Sequence, residues 1–181
     1  MFSSRLWNLF IDSFPKMFIR GLTVTIPLTA IAFSLAMVIA VIVALVQFAN
    51  IKVLKQICRF YIWIFRGTPL LVQLFIVFFG LMNVGLVLEP FLAAVIVFAL
   101  NEGAYGAETV RASLESVPSG QLEAGQCAGL SYLQTIFRIV LPQAMRTAFP
   151  SLFNALISML KDTSLAATIT VTEMFKVSQQ I

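Results

Sequence analysis

The chain has 181 residues, of which 60% are hydrophobic and 11% charged; 12 are basic, 8 acidic, and none is histidine. An apolar fraction this far above the roughly 45–50% of soluble domains excludes an ordinary water-soluble fold. Without histidine there is no HExxH metal motif, no GxSxG nucleophile turn occurs, and the net charge of +4 needs no nucleic-acid partner if the basic residues flank membrane spans.

Residues 1–20 hold no continuous apolar run, and Asp12 and Pro15 interrupt them, so they do not read as a signal peptide. Leu6, Trp7, Leu9, Phe10, Phe14 and Phe18 predict a separate N-terminal segment lying at the membrane interface, with Trp7 at headgroup level. No charge falls between Arg20 and Lys52, which makes residues 21–48 the first span, since a bilayer core takes about 20 apolar residues per helix. Residues 51–65 read as a second interfacial helix, and residues 67–88, bounded by Arg66 and Glu89, as the second span. The third span covers residues 90–110 despite Glu102 and Glu108, and the fourth covers 147–171 despite Lys161 and Asp162. The expected fold is thus an all-α polytopic transmembrane bundle over residues 21–181, with four spans and a polar loop at 111–146.

Seven of the 12 basic residues lie in two loops: Lys52, Lys55, Arg59 and Arg66 in one, Arg111, Arg138 and Arg146 in the other. The positive-inside rule puts both loops in the cytoplasm and the N-terminus outside, although Arg5, Lys16 and Arg20 weaken the bias. Cys58 and Cys127 then face a reducing compartment, where no disulfide is expected.

The loop at 111–146 is built rather than slack. Ser119 is placed to cap a short helix, with Glu123 in its first turn against the positive end of the helix dipole. Gly129 supplies a left-handed terminator, and Ser131 with Gln134 has the spacing of a capping box that restarts a helix. Leu133, Ile136, Phe137 and Val140 recur at three and four, and Pro142 is expected to bend the chain into the last span. Ala124, Gly125 and Ala128 are small enough to let another backbone approach. Taken alone, such a pattern also fits an ordinary amphipathic loop helix covering a core.

The spacing of Glu123, Ala124, Gly129, Ile139, Leu141 and Pro142 resembles the cytoplasmic EAA motif of permease subunits of ATP-binding-cassette importers, with Gly125 where the second Ala stands. RGTPLLVQLF at 66–75, AYGAETVR at 104–111 and LKDTSLAATI at 160–169 resemble the polar amino-acid uptake permeases, of histidine, glutamine or arginine type. The resemblance runs over residues 20–176 and implies a type I importer permease fold in the bacterial cytoplasmic membrane. It further implies that Glu123, Ala124, Gly125, Gly129, Leu141 and Pro142 couple to a separate ATPase subunit, that ATP and Mg are bound there, and that a second permease subunit and an external solute-binding protein complete the machine. No GxxxxGK[ST] occurs in this chain, in keeping with ATP chemistry in a partner and no enzymatic role here. Such permeases generally have five core spans, so the resemblance also leads us to expect a truncated subunit lacking its last helix.

Charged groups at bilayer depth are costly and usually line a bundle interior or cavity. Lys161 and Asp162 are adjacent, so on a helix they point about 100° apart, and a break at Lys161, Asp162, Thr163 and Ser164 would expose backbone groups. Glu108 is expected to pair with Arg111, three residues on. Thr68, Gln73, Asn101, Glu102, Lys161, Asp162, Thr163 and Ser164 are the candidate substrate path. Asp162 or Glu102 would take the ammonium of an amino acid, and Asn101, Thr163, Ser164 or backbone donors its carboxylate. Lys161 and Asn101 also fit purely structural roles, as does the Thr68 and Gln73 pair. Two other functions fit the composition: a non-transporting assembly subunit, or an intramembrane enzyme using Asp162 or Glu102 as an acid. Which amino acid is carried is left open.

Overall fold

The structure, a computed structural model, describes residues 4–49 and 51–180, with side chains from Trp7 onward; Arg5 and Leu6, assigned above, lie outside the described side chains. Among the described residues every regular element is helical. Helix α1 (Ser4–Arg20) passes through a π turn (Gly21–Thr25) into α2 (Ile26–Phe48). Helix α3 (Lys52–Gly67) precedes α4 (Leu70–Phe75), which continues through a π turn (Ile76–Gly80) to α5 (Leu81–Asn83). The long α6 (Pro90–Glu115) leads to α7 (Gly120–Cys127) and α8 (Tyr132–Thr135). A third π turn (Ile136–Val140) feeds α9 (Leu141–Asp162), which tightens into a 3-10 segment (Thr163–Ile169) before α10 (Met174–Gln179).

The bundle is organised by α2 against α6. Ala32, Ala36, Ala40 and Ala44 recur every four residues on α2 and are each 0% exposed. Opposite them, α6 presents Gly103 and Gly106. A methyl at Gly106 would lie 3.0 Å from Ala40 Cβ and 3.2 Å from Met37 Cε; one at Gly103 would lie 2.9 Å from Ile39 Cγ2 and 3.0 Å from Tyr61 Oη. Helices in lipid gain no hydrophobic drive toward one another, so small residues that allow dense van der Waals contact hold them together. Leu28, Ala93, Ala94, Val97 and Phe98 fill one end of this seam, and Val110, Leu114, Val140, Ala144 and Ala148 join it to α9 at the other.

The N-terminal segment is not separate. Trp7–Phe48 is one helix of 42 residues, about 63 Å long at 1.5 Å per residue, roughly twice a bilayer core. Pro15 sits inside it, and its exposed aromatic ladder of Trp7, Phe10, Phe14 and Phe18 stacks at centroid spacings of 6.0, 5.5 and 6.0 Å. Two π turns explain how the chain stays helical near proline. Pro27 and Pro142 lack the N–H that would bond four residues back. In each case the residue before proline instead bonds five back, Ile26 to the Gly21 carbonyl and Leu141 to that of Ile136. The widened turn absorbs the defect, so Pro142 does not end the helix: α8 continues through the π turn into α9 without a non-helical residue between them.

Other boundaries moved for local reasons. Thr68, held extended before Pro69, ends α3, and the chain turns 104° into the next helix. The second helical stretch runs from Leu70 to Asn83 rather than 67–88, because Gly85 at φ +87 ends it although the sequence remains apolar. Glu89 accepts from Leu92 N at 2.9 Å and caps α6, which runs past residue 110 to Glu115. Trp7–Phe48 and Pro90–Glu115 are each long and apolar enough to cross a membrane, and the bent pair Lys52–Gly67 with Leu70–Asn83 makes a third if it is one span. The expected fourth span is divided: the α-helix ends at Asp162, at the anticipated break, and the 3-10 segment follows.

If the alanine seam sets the helix spacing, Ala40→Leu should lower stability by about 1–3 kcal/mol through overpacking. The thermal midpoint of the purified protein in detergent should drop, whereas Val38→Leu, on the exposed side of α2, should leave it unchanged.

Candidate functional site

The break between α3 and α4 leaves the last carbonyls of α3 without helical partners, and side-chain amides collect them. Gln73 Nε2 donates to the Phe65 carbonyl at 2.9 Å, to the Thr68 carbonyl at 3.1 Å and to Thr68 Oγ1 at 2.8 Å. Asn101 Nδ2 donates to Gln73 Oε1 at 3.0 Å and to the Phe65 carbonyl at 3.2 Å. Three predicted residues, Thr68, Gln73 and Asn101, are therefore one network that ties the break to the middle of α6. Both Asn101 donors are committed to protein, so the expectation that Asn101 donates to a solute carboxylate does not hold; its amide oxygen is what it can still offer.

Beside this network lies a cavity of about 340 Å³ lined by Thr68, Leu70, Asn101, Glu102, Tyr105 and Asp162, with Pro69 and Leu165 completing its wall. Glu102 and Asp162 reach it from α6 and from the last residue of α9. Lys161, Thr163 and Ser164 do not: they line a second cavity of about 530 Å³, with Phe18, Thr25 and Glu173 among its neighbours. Thr163 is buried and its hydroxyl donates to the Leu160 carbonyl at 2.7 Å, which closes the last α-helical turn. The adjacent Lys161 and Asp162 thus diverge, as their spacing required. Tyr105, absent from the sequence reading, sits one turn after Glu102 on the same face and has the Arg66 guanidinium 5.2 Å from its ring centre. The spacing of Glu102 and Tyr105 was the available signal.

Toward the other end of α6, Arg111 Nη2 bonds Glu108 Oε2 at 2.9 Å as expected, and its Nη1 also bonds Glu115 Oε1 at 2.6 Å.

The α7 turn follows the sequence with one exception. Ser119 is itself helical, at φ −56 and ψ −30, and makes no side-chain cap, because a hydroxyl reaches the first free amides only from extended backbone. Backbone bonds replace it, from Leu122 N to the Ser119 carbonyl at 2.9 Å and from Gln121 N to that of Pro118 at 3.0 Å. Gly129 adopts φ +75, and Leu130 N closes back on the Gly125 carbonyl at 3.0 Å. The Ser131 and Gln134 box has both arms, at 3.3 and 2.9 Å. Glu123, Ala124 and Pro142 are exposed, and Leu141 is half-buried. Gly125 is buried, and a methyl there would overlap Thr135 Cγ2 and Oγ1. Its glycine is required by Thr135 and is more than a small residue in an alanine position.

Residues 36–181 match the family described as binding-protein-dependent transport system inner membrane component, and the chain belongs to that family. It is an integral membrane permease subunit of an ATP-binding-cassette importer, not an enzyme; ATP hydrolysis occurs in a partner ATPase. It is 46% identical over 175 residues to the L-cystine transport system permease protein TcyB of Bacillus subtilis, covering 97% of this chain and 75% of that one. It is 37% identical over 184 residues to the nopaline transport system permease protein NocM of Agrobacterium fabrum, covering 96% and 76%. A crystal structure of an amino acid ABC transporter with histidines superposes at a TM-score of 0.82 and 34% identity, over 93% of this chain and 78% of that one.

Gly125→Ala should destabilise the joint between α7 and α8 by about 1–3 kcal/mol. Adding Thr135→Ala, which removes both overlapping atoms, should recover most of the loss in thermal midpoint.

Proposed function

We propose that this permease moves a polar amino acid through the cavity walled by Glu102 and Asp162. The observation that carries this reading is the convergence of two carboxylates, far apart in sequence, on one polar cavity where α3, α4 and α9 all end or begin. Glu102, Asp162 and the Asn101 amide oxygen suit the ammonium of a zwitterionic or cationic amino acid, since these acceptors converge on one cavity with no Lys or Arg among the described residues that line it. Thr68 and Gln73 hold the wall in shape. The names of the relatives, permeases for cystine and nopaline, support an amino-acid substrate.

The exposed Glu123 and Ala124 of α7, seated by Gly125 and Gly129 and followed by Leu141 and Pro142, would dock in a cleft of the ATPase, which holds ATP and Mg. In this reading α7 faces the cytoplasm and the N-terminus lies outside. A second permease, identical or a sister chain, and an external solute-binding protein complete the assembly.

Uptake of labelled amino acids into vesicles containing the whole complex tests both sites. Asp162→Asn and Glu102→Gln should each cut uptake about tenfold or shift selectivity away from cationic solutes, as loss of a charge-assisted contact would. Unchanged affinity and rate for every amino acid would remove the cavity from the path. Glu123→Arg, at normal expression, should abolish ATP-driven uptake; full activity would rule out docking through α7.

A further inference from the structure

The acid-lined cavity answers only half of an amino acid. Glu102, Asp162 and the Asn101 amide oxygen suit an ammonium, but the same solute carries a carboxylate, and burying that charge without a donor is costly. Three neutral side chains on the cavity wall bear an N–H or O–H: Thr68, Asn101 and Tyr105. Two are already engaged. The Asn101 amide donates to Gln73 Oε1 at 3.0 Å and to the Phe65 carbonyl at 3.2 Å. The Thr68 hydroxyl donates to the Ile64 carbonyl at 2.8 Å and accepts from Gln73 Nε2. Lys161 and Ser164 line the other cavity.

Tyr105 differs from both. It is 44% exposed, and its hydroxyl has no hydrogen-bond partner among the described residues. It stands one turn after Glu102 on α6, about 4.5 Å along the axis at 1.5 Å per residue. In an α-amino acid a single carbon separates ammonium from carboxylate, so a solute held at Glu102 can reach one turn further with its carboxylate.

The charge around Tyr105 has the matching sign. The Arg66 guanidinium lies 5.2 Å from the ring centre, a cation–π contact that fixes the ring and puts positive charge beside it. Glu108, the next acid along α6, is answered by Arg111 at 2.9 Å, and among the described residues no carboxylate comes within ion-pair reach of Arg66. We propose that Tyr105 takes the substrate carboxylate: its hydroxyl donates to a carboxylate oxygen while the ammonium rests on Glu102 and Asp162, and Arg66 is the positioning residue behind it. The assignment rests on the reading of this cavity as the amino-acid path.

Competition binding to the purified complex of permease and ATPase tests it, with labelled standard amino acids and cystine, each competed by the unlabelled acid and by its α-amide. The wild type should prefer the acid over the amide about tenfold, as a charge-assisted hydrogen bond would. Tyr105→Phe should bind the acid about tenfold more weakly and the amide as the wild type does, which erases the preference. Arg66→Gln should lower the preference and Arg66→Lys should keep it, since either cation can sit over the ring. Asp162→Asn should weaken acid and amide alike, because both carry the ammonium. If Tyr105→Phe does not fold, the contrast between Arg66→Gln and Arg66→Lys decides. An effect of Asp162→Asn with an unchanged preference in Tyr105→Phe would overturn the Tyr105 assignment and leave the cavity reading standing, as would equal binding of acid and amide by the wild type. Binding of no amino acid by the wild type, or none altered by Asp162→Asn, would sink the cavity reading and this assignment with it.

Discussion

The close approach of α2 and α6 governs this molecule. Four alanines at intervals of four meet glycines that have no room for a methyl, so the two backbones lie nearer than bulky side chains would allow. In a bilayer this seam does the work that hydrophobic collapse does in water. It also makes α6 the reference element. Asn101 and Glu102 are carried at its middle and Glu108, Arg111 and Glu115 toward its end, and each polar cluster inherits its position from the seam.

Around that rigid pair, the irregular backbone is confined to places where polar groups can be answered. Non-helical backbone at membrane depth is tolerated only where it is buried in protein or lines a cavity. The turn at Thr68 and Pro69 meets this condition through the amides of Gln73 and Asn101. The end of α9 meets it through the Thr163 hydroxyl on the Leu160 carbonyl. At Pro27 and Pro142 a π turn carries the helix past the missing donor instead. The acid-lined cavity thus exists because two helices stop at the same level beside a third that does not.

The loop chemistry was legible in the sequence because its determinants are local. Gly129, Ser131 and Gln134 act on their own neighbours, and each took the expected conformation. The break after Asp162 was legible for the same reason, as was the Glu108 and Arg111 pair. The helix end at Gly85 was not, although it is a left-handed glycine like Gly129, because the sequence around it stays apolar and hydropathy masked the stop. The alanine stripe was not read from the sequence, because hydropathy scores how apolar a residue is and not how closely a small side chain lets a neighbouring helix approach. Which polar residues would share a cavity could not be read from the chain, because Asp162 meets Glu102 only through the packing of α9 on α6. Ser119 misled because residue type suggests a cap, whereas its own backbone angles decide whether the hydroxyl can reach.

The unbroken passage from α8 through the π turn into α9 has a mechanical meaning. From Tyr132 to Asp162 the chain is a single rod, roughly 46 Å long at 1.5 Å per residue, keyed at its start to α7 by the fit of Gly125 on Thr135. A helix that stays hydrogen-bonded along its length passes a displacement on, except where a widened turn or a proline lets it flex. Its far end is the carboxylate of Asp162 and the point where the helix changes pitch. Two places along the described rod can flex, the widened turn before Pro142 and Pro150 inside α9, so in the proposed coupling a push on α7 would reach the acid wall through those two joints.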